Sequence, residues 1–94
     1  MRADEVFTAL ADATRRQVVA SLAQQGPRTA TELSAQMPIT RQAVAKHLTH
    51  LHRARLVVPE RSGRETRYRL TPEALGAAIE WLEELSSDAG ERAA

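Results

Sequence analysis

The sequence has 94 residues, of which 43% are hydrophobic and 27% charged, a composition typical of one small globular domain. Charges are spread through the first 20 residues, and no uncharged run is long enough to cross a bilayer. We therefore expect no secretory signal, no membrane association and a cytoplasmic location. The absence of cysteine excludes disulfides, thiolate metal sites and thiol redox chemistry.

The net charge of +1 is distributed unevenly along the chain. Between Arg28 and Arg69 nine basic residues oppose three acidic ones, whereas after Leu70 six acidic residues oppose Arg92 alone. This pattern predicts a basic middle that meets a polyanion and an acidic end that faces away from it. The alternative is a coding bias, which explains the preference for arginine over lysine but not the clustering.

Two helices are predicted before the first glycine. Apolar residues recur at helical spacing from Val6 to Leu10, and Asp12 is a candidate N-cap for the second helix. That helix has an apolar stripe that includes Val18 and Leu22, and Gly26 with the proline after it ends the helix.

A short third helix and a longer fourth helix follow, separated by a tight turn. Thr29 and Glu32 have capping-box spacing at the start of the third helix, which is expected to run to about Met37. Pro38 favours a turn, after which Thr40 is a candidate N-cap for the fourth helix. The inward positions of the fourth helix are Val44, Leu48 and Leu51. The segment therefore reads as helix, tight turn, helix.

Beyond Leu56 the hydrophobic period changes from that of a helix to that of a strand. Residues 57–61 and 65–70 flank a turn at 62–64, which predicts a hairpin with one basic face. Pro59 cannot donate to a ladder, so its strand is expected at an edge or with the proline position facing outward. Residues 71–73 have the form of N-cap, first-turn proline and first-turn acid, which predicts the start of a last helix.

These elements predict a mainly α protein with a small β-hairpin (α+β), a winged helix-turn-helix of about five helices and a two- to three-stranded wing. Residues 1–86 are expected to form the DNA-binding and dimerisation domain, and residues 87–94 a flexible C-terminal tail.

The residue types on the fourth helix and the hairpin suit contacts with duplex DNA. The second helix of a helix-turn-helix fits the major groove, about 12 Å wide, and an adjoining hairpin reaches phosphates. Side chains opposite the inward positions have donors and acceptors for guanine and adenine edges. The predicted DNA-binding residues are Thr40, Arg41, Gln42, Ala45, Lys46, Thr49, Arg61, Arg64 and Arg67. The alternative is that these are solvated faces of an arginine-rich protein.

The sequence resembles the ArsR/SmtB-type winged-helix regulators of bacteria over residues 3–85. The motifs that carry the likeness are ALADATRR at 9–16, TEL at 31–33, AVAKHL at 43–48, Leu56-Val57, and Gly63-Arg64 leading to Tyr68-Arg69-Leu70. The resemblance implies a homodimer that is joined through the first and last helices and binds an inverted-repeat operator, usually as a repressor. Exposed apolar surface in excess of a small core agrees with this. The predicted interface residues are Phe7, Leu10, Leu75, Ile79, Trp81 and Leu82, some of which are equally candidates for the core.

The chain departs from the metal-sensing members of that family. Those members place cysteines in the helix that here spans Thr31 to Met37, or use histidines of the last helix, which has none here. We therefore predict no metal and no cofactor, and the sequence does not identify an effector. His47 and His50 form an i,i+3 pair that could share a metal ion, but His47 is expected to pack or hydrogen-bond beside Leu48. In that family a glycine commonly closes the fourth helix, the recognition helix. Arg55 stands at that position here, so its backbone must adopt the left-handed conformation or the helix must end differently.

The sequence argues against two other classes of function, an enzyme and a protein-binding winged helix. An enzyme needs a nucleophile or base beside an orienting partner, and no such pair or phosphate-binding loop is present in the sequence. The stronger alternative is a winged helix that contacts proteins without reading DNA sequence, which predicts an apolar or acidic face on the fourth helix. Arg41, Gln42 and Lys46 argue against that alternative.

Overall fold

The computed structural model describes residues 2–93 and contains five α-helices, one 3₁₀ turn and a three-stranded sheet. The helices are α1 (Arg2–Leu10), α2 (Ala13–Gln25), α3 (Ala30–Ala35), α4 (Arg41–Arg53) and α5 (Gly76–Ala93). The strands are β1 (Arg28–Thr29), β2 (Val57–Ser62) and β3 (Glu65–Leu70). The predicted winged helix-turn-helix is therefore confirmed. None of the helices within residues 2–93 has the length and apolarity needed to cross a membrane.

Side-chain caps fix the starts of α2, α3 and α4. Each predicted cap is confirmed: Asp12 for α2, Thr29 with Glu32 for α3, and Thr40 for α4. In each case a side-chain oxygen accepts a hydrogen bond from a backbone N–H that has no partner within its helix. The helix α3 ends at Ala35, short of the predicted Met37, because the chain already turns there toward the proline at position 38.

The end of α4 is closed by a residue with a left-handed backbone. Arg55 has φ of +63° and is the only non-glycine residue within 2–93 with a positive φ. Its N–H donates to the carbonyl of His52, and the N–H of Leu56 donates to the carbonyl of Leu51, both at 2.9 Å. These two bonds define a Schellman motif, with both leucines fully buried. The left-handed alternative is thus the one adopted, at a conformational cost of about 1–2 kcal/mol.

The sheet has the order β1-β3-β2 and is antiparallel throughout. Pro59 lies on β2, an edge strand, as predicted. The hairpin turns through two residues, of which Gly63 has φ of +62°, as a type II′ turn requires at its first position. Strand β1 pairs with β3 at only two positions, so most of the hairpin extends beyond the three-stranded part.

The core lies between the first four helices and the base of the hairpin. Its largest fully buried side chains are Val6, Val18, Leu33, Val44, Leu48, Leu51, Leu56 and Val57. The three predicted inward positions of α4 are all among them, which confirms the orientation of that helix. Because one side of α4 is fixed against the core, the opposite side faces solvent.

The last helix differs from its prediction at both ends. Residues Pro72–Leu75 form a 3₁₀ turn. Thr71 stands at its N-cap position and the proline in its first turn, as predicted, but the Thr71 side chain makes no capping bond. The predicted flexible tail, residues 87–94, is helical as far as Ala93, and Ala94 lies outside the described residues. An existing helix adds one hydrogen bond for each residue it fixes, and alanine, glutamate and arginine favour that extension.

Candidate nucleic-acid interface

The outward face of α4 collects most of the predicted DNA-binding residues. Arg41, Gln42, Ala45, Lys46 and Thr49 are all exposed, and the helical period aligns them along one side. The side chains of Arg41, Gln42 and Lys46 form no hydrogen bond or ion pair with any of residues 2–93. This face therefore presents free donors and acceptors at one end and along the middle of the helix.

Thr40 and Thr49 have local bonds of their own. The Thr40 hydroxyl accepts from the Ala43 N–H at 3.1 Å, so it closes the start of α4. The Thr49 hydroxyl donates to the Ala45 carbonyl one turn earlier, at 3.0 Å. Both residues lie on the predicted face, but each hydroxyl is already engaged by the helix backbone.

A groove of about 640 Å³ separates α4 from the wing, the hairpin of β2 and β3. Its walls are formed by residues 29–32, by Arg41, Gln42 and Ala45, and by residues 64–66 with Tyr68. Arg41 and Gln42 of α4 and Arg64 of the wing thus line the same groove. The start of α3, Thr66 and Tyr68 were not predicted as part of this surface, because the pairing of β1 with β3 that brings them together has no local signal in the sequence.

Carboxylates neutralise two of the four wing arginines. Arg69 donates to Glu60 at 2.5 Å, and Arg67 is paired with Glu32 and Glu65 at 2.9 and 3.0 Å. Arg67 was predicted to contact DNA, and in the structure its guanidinium is paired with both carboxylates.

The free positive charge of the wing is concentrated at its tip. Arg61 makes only a long bond of 3.4 Å to the Gly63 carbonyl. Arg64 forms no ion pair or hydrogen bond with any of residues 2–93. The basic face predicted along the whole hairpin is thus reduced to two cations beside the turn.

Glu32 is held in its ionised form by its neighbours. The Thr29 N–H donates to its carboxylate at 2.9 Å and holds the pKa of Glu32 below its ordinary value, an effect reinforced by the positive charge of Arg67. The same cause acts at Asp12, where the Arg15 N–H lowers the pKa of the capping carboxylate. Both carboxylates are fixed parts of the helix starts.

His47 faces the start of α2 and not the groove. Its Nδ1 lies 3.9 Å from an Asp12 oxygen and is buried without a hydrogen-bond partner. His50, the other member of the i,i+3 pair, is exposed. Within residues 2–93 no three histidine or carboxylate side chains are grouped in a way that would hold a metal ion.

A second candidate surface lies on α5, remote from the groove in sequence. Ile79, Trp81, Leu82 and Leu85 are 41–50% exposed, which is unusual for large apolar side chains on one helix. The other predicted interface residues, Phe7, Leu10 and Leu75, are half-buried against the core. Leu85 was not among the interface residues predicted from the sequence.

Comparison with known proteins identifies the family. A family model described as a helix-turn-helix domain matches residues 10–60, which span α2, α3, α4 and the start of the wing. The HTH-type transcriptional regulator Rv2034 of Mycobacterium tuberculosis is 43% identical over 74 residues, covering 79% of this chain and 68% of that protein. The chain is therefore a member of the helix-turn-helix transcriptional regulators.

Solved structures of related regulators share the whole fold. An ArsR-like transcriptional regulator from Rhodococcus sp. RHA1 superposes with a TM-score of 0.83 at 34% identity, covering 97% of this chain and 85% of that one. The winged helix-turn-helix DNA-binding domain of Mb0332 from Mycobacterium bovis superposes with a TM-score of 0.73 at 25% identity, covering 93% and 79%. The chain belongs to the ArsR family of helix-turn-helix transcriptional regulators. In this regulator α4 is the second helix of the winged helix-turn-helix.

Proposed function

We propose that the protein represses transcription by binding an inverted-repeat operator as a homodimer, with α4 in the major groove and the wing tip on the neighbouring backbone. The observation that carries the proposal is the unpaired set Arg41, Gln42 and Lys46 on the exposed face of α4, of which Arg41 and Gln42 line one groove with Arg64. These side chains are free to meet bases and phosphates.

Each residue of the helix has a chemically suitable target. Arg41 can donate two hydrogen bonds to a guanine edge, and Gln42 can pair with both groups of an adenine edge. Ala45 lacks bulk, so it lets the helix backbone approach the base pairs. Lys46 suits a phosphate or guanine, and the free N–H groups at the start of α4, beside Thr40, suit a phosphate.

The dimer is supported by the shape of the chain and by the apolar face of α5. The radius of gyration is 15.3 Å, and the longest axis measures 55 Å against 25 and 22 Å for the others. A compact chain of this length has a radius of about 12 Å, so α5 extends beyond the core. A second copy packed on Ile79, Trp81 and Leu82 removes this apolar surface from water. The Mb0332 domain is described as homodimeric, and the same arrangement is proposed here.

The repressor role is inferred from the resemblance to ArsR/SmtB-type regulators, which usually repress. A dimer seated on a promoter blocks access of the transcription machinery by occupying the DNA. A reporter gene behind the protein's own promoter tests this part of the proposal: deletion of the regulator raises expression if it represses and lowers expression if it activates.

The alternative is a winged helix that binds a protein partner without sequence-selective DNA binding. Titration of the protein with its own promoter DNA and with random duplex, at several salt concentrations, distinguishes the two, with light scattering giving the size of the complex. Salt-sensitive, sequence-selective binding by a dimer supports the proposed function. Failure to bind any duplex at low salt overturns it and favours the protein partner.

A further inference from the structure

We propose that Arg67 is a positioning residue that, together with Glu32, sets the angle at which the wing leaves the body of the protein and thereby the sequence preference of the regulator. The inference rests on the proposed function, because it concerns how the DNA-binding surface is held. It assigns Arg67 a role other than the phosphate contact expected from its position in a basic hairpin.

The ion pair of Arg67 with Glu32, here called the clamp, joins β1, α3 and β3 through one carboxylate. Oε1 of Glu32, in the first turn of α3, accepts from the Thr29 N–H at 2.9 Å and from Nη1 of Arg67 at 2.9 Å. The Thr29 hydroxyl in turn accepts from the Glu32 N–H at 3.1 Å. The Arg67 guanidinium has a second partner on its own strand: Nη2 donates to Oε2 of Glu65 at 3.0 Å. Charge-assisted bonds of this length are about twice as strong as bonds between neutral groups.

The position of the clamp in the sheet is the second part of the argument. Thr29 lies opposite Arg67 in the β1–β3 register, and this pair is the last one before the tip of the hairpin. Beyond it, the strands pair only with each other, through Arg61 with Thr66 and Ser62 with Glu65. A two-stranded ribbon holds its own orientation poorly. Arg67 is therefore the point from which the free part of the wing pivots.

A small rotation at this pivot moves the tip by a distance that matters for binding. Gly63 lies four residues beyond Arg67, or about 13 Å along an extended strand. A rotation of about 10° displaces the tip by about 2 Å, whereas hydrogen-bond distances vary by only about 0.5 Å. The registration of Arg64 on the backbone relative to Gln42 on the bases thus depends on the clamp.

The two roles for Arg67 predict different results when the clamp is removed without a change of charge. The double variant Arg67→Met with Glu32→Gln removes one cation and one carboxylate, and glutamine still completes the capping box. The matched control is Arg69→Met with Glu60→Gln, which removes the other wing ion pair, one that lies entirely within the hairpin.

The experiment measures the affinities of these proteins for the promoter duplex and for random duplex at several salt concentrations. If Arg67 positions the wing, the Arg67/Glu32 variant loses about fivefold or more of its preference for the promoter, while its binding to random duplex and its salt slope stay unchanged. The Arg69/Glu60 control keeps the preference. Equal losses on both duplexes with a salt slope reduced by about one unit per subunit would show a phosphate contact and overturn the proposal. An unchanged preference would overturn it as well.

Amide hydrogen exchange of the free protein separates this inference from the proposed function. The clamp predicts faster exchange at Ser62 and Glu65, the hydrogen-bonded pair that closes the hairpin, in the Arg67/Glu32 variant and unchanged exchange there in the control. If the wild-type protein prefers no duplex, the proposed function fails, and exchange still tests whether the clamp holds the wing. Unchanged exchange in the Arg67/Glu32 variant contradicts the clamp itself.

Discussion

Phe7 of α1 and Trp81 of α5 pack edge to face, with ring centroids 5.4 Å apart and an interplanar angle of 65°. The contact joins the first helix to the last and fixes the start of α5 on the body of the protein. Trp81 nevertheless remains 41% exposed, and Leu82 next to it is 50% exposed. The pair therefore marks the edge of an apolar surface that continues outward along α5.

If the proposed dimer forms through α5, replacement of Leu82 by glutamate is expected to convert it to a monomer. Burial of a leucine contributes about 1.5–3 kcal/mol, and each dimer loses two such side chains and gains two buried charges. Light scattering of the variant at micromolar concentration measures the effect. Ser87→Glu, which adds the same charge on the opposite face of α5, is the control and should remain dimeric. A Leu82→Glu protein that stays dimeric would place the interface elsewhere.

Gln42→Ala is expected to relax the choice of DNA sequence. Loss of a bidentate contact to adenine costs about 1–3 kcal/mol on the operator and little on random duplex, because random DNA offers no matching base in register. Competition binding against operators with each base pair changed in turn measures this, and one position should lose its discrimination. Equal weakening on operator and random duplex would contradict a base-reading role.

Arg64→Ala is expected to weaken binding to every duplex alike. Arg64 is an unpaired cation at the wing tip, so its loss removes a phosphate contact and flattens the salt slope by about one unit per subunit. Binding isotherms between low and physiological salt give the slope. The control is Glu73→Ala, which changes a charge in the 3₁₀ turn before α5, away from the wing. A change in base preference with an unchanged slope is the result that would argue against a backbone contact.

Arg55→Gly is expected to stabilise the protein by about 1 kcal/mol. Glycine adopts the left-handed conformation without the steric cost that Arg55 bears at φ of +63°, although it loses more backbone entropy on folding. Urea unfolding gives the midpoint. The same substitution at Arg53, the last helical residue of α4, is the comparison and should destabilise. A lower midpoint for Arg55→Gly would mean that the arginine side chain contributes more than its strained backbone costs.

Stability is expected to decline in acid through Asp12 and Glu32. Both carboxylates have a pKa below their ordinary values of 3.8 and 4.5 because a backbone N–H donates to each. A group whose pKa is depressed on folding stabilises the protein above its unfolded pKa, and that contribution is lost as the pH falls through the folded pKa. The free energy of unfolding should therefore fall from about pH 4.5 downward. Urea unfolding across this range should show a shallower decline in Glu32→Gln, and an identical decline would exclude Glu32 as a contributor.

Features set by neighbours along the chain could be predicted from the sequence. The N-caps at Asp12, Thr29 and Thr40 depend on residues within one turn, and the inward face of α4 follows from the spacing of its leucines. The conformation at Arg55 was narrowed to two alternatives by the same local reasoning. The structure confirmed these because tertiary contacts agree with the local preferences.

Features that depend on contacts distant in sequence could not be predicted. Arg67 meets Glu32 across 35 positions, and only the register of β1 on β3 brings them together. Thr71 has the residue type of a cap and stands at the N-cap position of the 3₁₀ turn, but its buried hydroxyl bonds to no backbone N–H of residues 2–93. The continuation of α5 to Ala93 is favoured by the helix that precedes it, which a composition-based prediction of a tail does not consider.

A polyanion that approaches this protein meets Arg41, Lys46 and Arg64 without a partner within residues 2–93, whereas Arg67 and Arg69 are already neutralised by carboxylates. Association through the unpaired cations breaks no ion pair in the protein. The salt slope then reports the phosphates that these cations neutralise. In a twofold-symmetric complex these contacts occur in pairs. Each substitution of one cation therefore removes two phosphate contacts, and the salt slope falls by the contribution of both.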